Sequence, residues 1–379
     1  MSVHRVRHRW GAGGAGEAGG AGGAGVALIA LAAVCVVPRA TQVLEAQAVA
    51  PQAPPDPTGP SRRRLFDATE PLELTLKSDF GAVAKERGTE KKGQPGVLSY
   101  AATPGDSVVL DVHLRTRGHF RLANCQYPPL KVGLDKAQTP HTIFAHEGSS
   151  LKLTVQCRGG QSYKNYLLEE YLIYRAYNLL TERSFRVRLA RVTYADAKDK
   201  HQPEMRHAFF VEDDDRMARR NNAKVLAQKG VTQDELDYDE TGLAMVFQYM
   251  IGNTDFAVTA LHNIVLTQDS VGVVYPVPYD FDWSGIISTP YAFPDSRLPI
   301  RTVRQRLWRG TCRTPQELAP LFAKFNAQKE AIYALYRSLE SEGLEPKRIQ
   351  QALEYYDEFY KTINDPGRTR QEFIRSCPR

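Results

Sequence analysis

The first half of this 379-residue chain is dominated by short stretches in which apolar and polar residues alternate. Successive side chains of a β-strand point to opposite faces, so a two-residue period predicts strands with one face in a core. A longer stretch, residues 163–180, carries apolar residues at helical spacing instead. We therefore expect an antiparallel sheet crossed by one helix. The alternating stretches are residues 72–78, 108–115, 130–134 and 151–157.

The second half is mostly helical in pattern. Two more strands are predicted at residues 186–194 and 207–211, and the acidic run 212–215 that follows is expected to be a solvated helix start. A strand-rich part followed by a helical part with one embedded hairpin predicts an α+β protein with two lobes. The helical stretches are residues 233–251, 315–340, 345–364 and 370–376, and the embedded strand pair is 263–266 with 272–275.

The N-terminus has the layout of a secretory leader. Arg5, Arg7 and Arg9 precede a Gly/Ala tract and an apolar run at residues 26–37, which is shorter than the roughly 20 residues of a membrane-spanning helix. We expect residues 1–49 to be a signal peptide and the Pro-rich residues 50–63 to be a linker. The protein is then exported, to the periplasm or the cell surface. A leader that stays uncleaved as a membrane anchor and a lipid attached to Cys35 are the alternatives.

The charge of the chain is mildly basic. The formal net charge is +6, and it falls to +4 when the four arginines and two glutamates of the leader are removed. A balance this small does not indicate a nucleic-acid partner. Contact with a membrane is expected only through an uncleaved leader.

Four cysteines follow the leader, at positions 125, 157, 312 and 377. None belongs to a Cys-x-x-Cys pair, so the spacing typical of zinc ligands is absent. An even number of cysteines in an exported protein predicts disulfides. Of the three possible pairings we expect Cys125 with Cys157 and Cys312 with Cys377, because each pair lies within one half of the chain.

Two polar segments, residues 252–266 and 276–285, carry the candidate chemistry. Asp255 lies in a loop after a predicted helix, Asn263 begins a strand, and Asp280 and Asp282 follow the partner strand. A hairpin returns the chain to its starting end, so these side chains are expected to meet there. Carboxylate and amide oxygens are ligands for magnesium or manganese. The alternative is a purely structural role, in which both segments are polar turns and strand ends.

The order of several short motifs resembles the CotH-like kinases and, more distantly, the HipA-like and phosphoinositide-kinase-like catalytic segments. Arg117-Gly118 with residues 128–132 is similar to the family's Arg-Gly…Lys stretch, residues 162–177 to its Asn-containing helix, and residues 208–213 to the strand before its hinge. The resemblance implies a two-lobed protein-kinase-like fold. Residues 64–212 would form the strand-rich N-terminal lobe and residues 213–379 the helical C-terminal lobe.

The resemblance also implies roles for individual residues, with ATP and Mg²⁺ or Mn²⁺ as cofactors. Asp255 would be the catalytic aspartate. The metal ligands would be Asn263 and Asp280, with Asp282 as second choice. Lys131, or failing that Lys152, would bind the nucleotide phosphates, Glu170 or Glu169 would hold that lysine, and Glu212 would lie near the adenine.

The function predicted on this basis is metal-dependent transfer of phosphate from ATP to an exported protein or a small hydroxyl-bearing acceptor. The alternatives are an inactive pseudokinase that serves as a binding or scaffold module, and a structural envelope protein. The chain departs from ordinary kinases in three ways: Asn263 follows Asp255 by eight residues, no Gly-rich phosphate loop is present, and Phe256 rather than a basic residue follows Asp255. An arginine run between residues 297 and 313 either clamps substrate phosphates or forms a solvated face.

Overall fold

Seven strands of the first half close into a barrel. A computed structural model describes residues 64–86, 92–103, 105–118 and 120–377, so the predicted leader and linker lie outside the described residues. The strand order is β1-β2-β3-β4-β5-β7-β6, and a parallel ladder between β1 and β6 joins the two edges. The strands are β1 Leu72–Ser78, β2 Gln94–Thr103, β3 Asp106–Thr116, β4 Leu130–Leu134, β5 Ser150–Val155, β6 Val187–Asp196 and β7 Glu204–Val211.

The alternating pattern fills the barrel. In β4, for example, Leu130, Val132 and Leu134 are buried, whereas Lys131 between them is only half-buried. Side chains of the inward face come from all seven strands and form one apolar cluster, which includes Leu76, Leu98, Val112, Leu153, Val192 and Phe210. The inward-facing side chains therefore form a hydrophobic core of the barrel, which is distinct from the core between the helices.

The expected two-lobed protein-kinase-like fold is wrong. The strands form a closed barrel of mixed parallel and antiparallel pairs rather than an open antiparallel sheet. Most of the helices come later in the chain than the barrel strands. Closure depends on seven consecutive parallel pairs, from Leu72 with Ala190 to Ser78 with Asp196. A two-residue period identifies strands but says nothing about which edges pair, because the same pattern suits open and closed sheets. The strand β2, which contains Pro95 and Gly96, was also missed.

The helices cover one side of the barrel. The long helix α3 packs on the outer faces of β6 and β7, where Tyr174 lies 5.7 Å from Phe209 between ring centroids. The ring of Tyr174 also lies 4.8 Å from the ring of Phe281. Phe281 comes shortly after β10, the last strand of a second sheet, whose strand order is β10-β9-β8. The remaining elements are α1 Phe80–Lys85, α2 Phe120–Asn124, α3 Gln161–Asn178, α4 Asp214–Arg220, β8 Ala223–Leu226, α5 Tyr238–Ile251, β9 Ile264–Asp269, β10 Val274–Pro278, α6 Pro315–Ser338, α7 Pro346–Ile363 and α8 Pro366–Thr369.

Most individual elements agree with the sequence prediction to within a few residues. The acidic run is a helix start, as expected, because Asp213 caps α4 by accepting the backbone N–H groups of Asp215 and Arg216. It is not solvated throughout, since Glu212 is fully buried. Short helices without a clear period, α1 and α2, were not predicted. The predicted helix at 370–376 is a π-helix, Arg370–Arg375.

Both predicted disulfides are confirmed. Cys125 is bonded to Cys157 and Cys312 to Cys377, with Cα separations of 4.8 and 5.2 Å. Two disulfides indicate an oxidising environment, as expected for an exported protein. Within the described ranges, no helix is both long enough and apolar enough to cross a membrane.

Candidate functional site

The loop between α5 and β9 presents Asp255 at one end of the β9–β10 hairpin. The helix ends at Gly252, whose left-handed conformation (φ 66°) turns the chain into the loop. Asn263 at the far end of the loop donates its side-chain N–H to both the backbone oxygen and Oδ2 of Asp255, at 2.7 and 3.0 Å. The other carboxylate oxygen, Oδ1, lies 2.9 Å from Nε2 of His262. Asp255 is thus held in one orientation.

The two mouths of the hairpin are in direct contact. The backbone N–H of Tyr279 donates to the carbonyl of Asn263 at 3.0 Å, so Asp280, the next residue, lies close to Asn263. Asn263 and Asp280 both have positive φ angles, 54° and 60°, which asparagine and aspartate tolerate better than most residues. The hydroxyl of Tyr174 on α3 accepts the Asp280 N–H at 2.8 Å. The structure therefore brings Asp255, Asn263 and Asp280 to the same end of the hairpin.

Behind Asp280 lies a buried charge cluster centred on Arg121 of α2. Its Nη2 is 2.6 Å from Glu170 of α3 and 3.6 Å from Asp280, and its Nε donates to Asp282 at 2.8 Å. The side chains of Glu170 and Asp282 are only 3 and 8% exposed, whereas that of Asp280 is 41% exposed. Asp280 is thus the carboxylate of the cluster that solvent and a ligand can reach.

The electrostatics of the cluster follow from one cation among three acids. Burial raises the pKa of Glu170 to about 8, although Arg121 opposes the shift. Burial also raises the pKa of Asp282, again against Arg121. Burial disfavours the charge on Arg121, but Asp282 and Glu170 together raise its pKa well above the ordinary value. Arg121 therefore stays charged and leaves an excess of acidic groups around it.

That excess makes the cluster suitable for a metal ion. Among the described residues, Glu170, Asp280 and Asp282 are the one group of three or more potential metal-ligand side chains whose ligand atoms all lie within 4.8 Å of one another. Hard oxygen donors suit Mg²⁺, Mn²⁺ or Ca²⁺. Arg121 already takes one oxygen each from Glu170 and Asp282, so Asp280 offers the freest carboxylate. The donor set fits a divalent ion bound mainly through Asp280.

A row of cations lies on the barrel side of the hairpin mouth. Lys131 on β4 is the cross-strand partner of Lys152 on β5. The Nζ of Lys152 forms an ion pair with Asp214 at 2.5 Å and lies 5.4 Å from the ring centre of Tyr279, next to Asp280. Beside it, Arg117 donates to the hydroxyl of Thr154 at 3.1 Å.

The predicted glutamates have arginine partners. Arg121, not a lysine, binds Glu170. Arg348 binds both oxygens of Glu169, at 3.2 and 2.5 Å, and the fully buried Glu212 accepts from Arg220 at 3.2 and 2.9 Å. These contacts hold elements together and leave neither Glu169 nor Glu212 facing the hairpin mouth as a free carboxylate.

Arg121 is the residue that sequence reasoning missed. It lies between Phe120 and Leu122 in a helix of five residues, with no period or motif around it. The arginine run between residues 297 and 313 also contributes to the fold, through hydrogen bonds to the backbone that the sequence did not indicate. Arg309 donates to the carbonyls of Thr254 and Phe256, at 2.6 and 2.7 Å, and so supports the backbone on both sides of Asp255.

A cleft of about 1070 Å³ opens beside Asp255. One wall is aromatic: the rings of Trp283 and Phe293 lie 4.8 Å apart, and Phe293 is 62% exposed. His262 and Arg309 also line the cleft. A substrate could therefore reach Asp255 from solvent without passing through the buried cluster.

Comparison with known proteins does not identify the chain. No protein-family model matches it, and no curated protein matches it. The resemblance to CotH-like kinases stays a prediction from short motifs.

We expect the Cys125–Cys157 disulfide to support the site as well as the fold. The N–H of Cys125 donates to the carbonyl of Arg121 at 2.8 Å, so the bridge ties the end of α2 to the segment between β5 and α3. Replacing both cysteines by serine should lower the free energy of unfolding by about 4 kcal/mol and weaken Mn²⁺ binding. Removing Cys312 and Cys377 is the control.

The control pair closes a loop of similar order, 65 against 32 residues, so its stability loss should be comparable. Its removal should leave Mn²⁺ affinity unchanged. Denaturant unfolding and metal titration of both double variants measure the two effects. Equal loss of affinity in both would show that the first disulfide has no special link to Arg121.

The contribution of Glu169 to the stability of the protein should fall as the pH rises from about 4.5 to about 7. Burial raises the pKa of Glu169 from its ordinary value to about 7, against the opposing Arg348. A carboxyl with a raised pKa binds its proton more tightly in the folded state. Its contribution is therefore complete below the unfolded pKa and is lost as pH rises through the folded pKa. Glu169→Gln should flatten this part of the urea-unfolding profile; an unchanged slope would contradict the assignment.

Proposed function

We propose that the protein catalyses divalent-metal-dependent transfer of a phosphoryl group from a nucleoside triphosphate to a hydroxyl acceptor. The proposal rests on the residues at the hairpin mouth and not on the fold, which is not the one expected of a protein kinase. Such a reaction needs oxygen ligands for a metal, cations for the phosphates and a carboxylate that orients the acceptor. Each requirement has a candidate here.

The metal would be held by Asp280, with support from Asp282 and from the side-chain oxygen of Asn263. Asn263 donates through its amide nitrogen to Asp255, and its Oδ1 accepts no hydrogen bond within the described part of the chain. When bound, the ion would supply positive charge that neutralises the phosphates. The chain's own contribution is to present these oxygens on a rigid strand end.

The cations beside Asp280 support the phosphate side of the proposal. Nε of Arg117 is buried without a hydrogen-bond partner among the described residues, which is costly unless an acceptor arrives. Lys152 approaches Tyr279, and Lys131 lies directly across from it. Like charges on facing strands repel, and Asp214 offsets part of this repulsion at Lys152. A further anion beside Lys131 and Arg117 would stabilise the row. A polyphosphate next to a metal site satisfies both groups.

Asp255 would orient the hydroxyl acceptor. Its carboxylate is fixed by Asn263 and His262, and it faces the open cleft with the aromatic wall of Trp283 and Phe293. A carboxylate within reach of an acceptor hydroxyl can position it and receive its proton. The observation that carries the proposal is that Arg117, whose buried Nε has no partner among the described residues, and two lysines lie beside an acidic cluster, at the end of a hairpin that also presents Asp255.

The test is a calorimetric titration of the purified protein with Mn²⁺ and Mg²⁺, then with ATP in the presence of each metal. Transfer is measured with γ-labelled ATP as phosphate released or incorporated into the protein. We expect metal-dependent ATP binding and slow transfer. Binding of metal and nucleotide without any transfer would favour the binding or scaffold alternative. No binding of either ligand at millimolar concentration would end the proposal.

A further inference from the structure

A second cavity, of about 650 Å³, lies at one mouth of the barrel. It is enclosed by α1, the loop that follows the Cys125–Cys157 disulfide, and the ends of β6 and β7. Its floor is apolar: Val83, Leu130 and Val155 are at most 5% exposed. Phe80 and Tyr194 meet edge to face at its side, 5.2 Å between ring centroids. Its volume is in the range of about 300–1,000 Å³ that holds small ligands.

An arginine points into this mouth from the inward face of β7. Ala208 and Phe210 belong to the barrel core, and strand alternation puts Arg206 on the same face. Its side chain is only 10% exposed. The guanidinium lies 3.9 Å from the ring centre of Tyr127 and donates through Nη2 to the Tyr127 hydroxyl at 2.9 Å. A charged residue at an inward barrel position is costly unless it is paired.

The pairing of Arg206 is incomplete. Nη2 also contacts Glu204 at 2.5 Å, but that glutamate side chain is 56% exposed, so solvent screens the ion pair. Nε of Arg206 is buried and has no hydrogen-bond partner within the described ranges, and the same holds for the hydroxyl of Tyr194. Burial raises the pKa of Tyr194, so its hydroxyl keeps its proton. Two buried donors without acceptors therefore lie beside a cavity that has an apolar floor and that Asp196 and Glu204 also line.

We propose that this barrel mouth binds a small amphipathic carboxylate. The apolar part of the ligand would lie on Val83, Leu130 and Val155, and its carboxylate would accept from Arg206 and Tyr194. A carboxylate meets the need of both donors, whereas a purely apolar ligand would leave them buried and unpaired. This site is independent of the phosphoryl-transfer proposal and shares no assigned residue with it.

Decanoate is the probe, and decan-1-ol of the same chain length is the head-group control. We expect calorimetry on the full-length protein to show saturable decanoate binding and at least about tenfold weaker binding of the alcohol, since a hydrogen bond to a charged group contributes roughly 1.5–3 kcal/mol. Arg206→Met and Tyr194→Phe should each weaken decanoate binding. Arg297→Met, at an arginine whose side chain is 87% exposed, is the matched control and should not.

Ala84→Trp tests the cavity without removing a donor. Ala84 lines the cavity from α1, and a tryptophan there should fill it and abolish binding while the thermal midpoint stays close to that of the parent. Absence of decanoate binding at low millimolar concentration would overturn the proposal. So would unchanged affinity in both Arg206→Met and Ala84→Trp. Equal affinity for decanoate and decan-1-ol would refute the role given to the two donors.

Discussion

Replacing Asp255 by alanine should reduce phosphoryl transfer by about 100-fold or more while metal-dependent ATP binding changes little. The carboxylate is fixed by Asn263 and His262 at the edge of the open cleft, where an acceptor would approach. In our proposal, Asp255 orients the acceptor hydroxyl and does not contact the phosphates of ATP. The variant should therefore separate the rate of transfer from nucleotide affinity. Single-turnover transfer of γ-labelled phosphate and calorimetry measure the two quantities.

Asp280→Ala should instead weaken the binding of metal and nucleotide. It removes the most accessible oxygen ligand of the acidic cluster, so Mn²⁺ and metal-dependent ATP binding should both weaken. Asp199→Ala is the matched control, because that side chain is 86% exposed and contacts Lys77 only at 3.9 Å. If Asp255→Ala lost nucleotide binding and Asp280→Ala did not, the two roles would be wrongly assigned. If neither variant differed from the control, the site would not be the catalytic one.

Arg121→Met should lower the free energy of unfolding by about 3–5 kcal/mol at pH 8. The arginine is the buried cation shared by Glu170 and Asp282, and its loss leaves buried carboxylates without a counter-charge. The deficit should shrink as the pH falls. Burial has already raised the pKa of both carboxyls, so protonation removes the uncompensated charge more readily in the folded state. Urea unfolding at pH 5 and pH 8 measures the difference.

A double variant makes this prediction specific. Arg121→Met with Glu170→Gln removes one cation and one acid together, so it should recover part of the lost stability at pH 8. Arg297→Met again serves as an exposed control and should change stability by less than about 0.5 kcal/mol. A deficit of the same size at both pH values would show that Arg121 acts through packing rather than through charge.

Local pattern determined a large part of this molecule. The strands β1, β4 and β5, the helix α3 and the β9–β10 hairpin follow from apolar spacing within a few consecutive residues, because side-chain direction repeats with the secondary structure. The hairpin rule also placed Asn263 next to the chain at Tyr279. Cysteine number and position within each half were sufficient for the two disulfides.

Only the tertiary structure decided which strand edges meet and which charges pair. The parallel contact of β1 with β6 closes the barrel, yet either strand alone has the same period it would have in an open sheet. Arg121 meets Glu170 and Asp282 across 49 and 161 residues of sequence, and no local pattern marks it. A buried ion pair depends on the three-dimensional approach of distant segments. Its partners become recognisable only after the barrel, α3 and the hairpin have packed together.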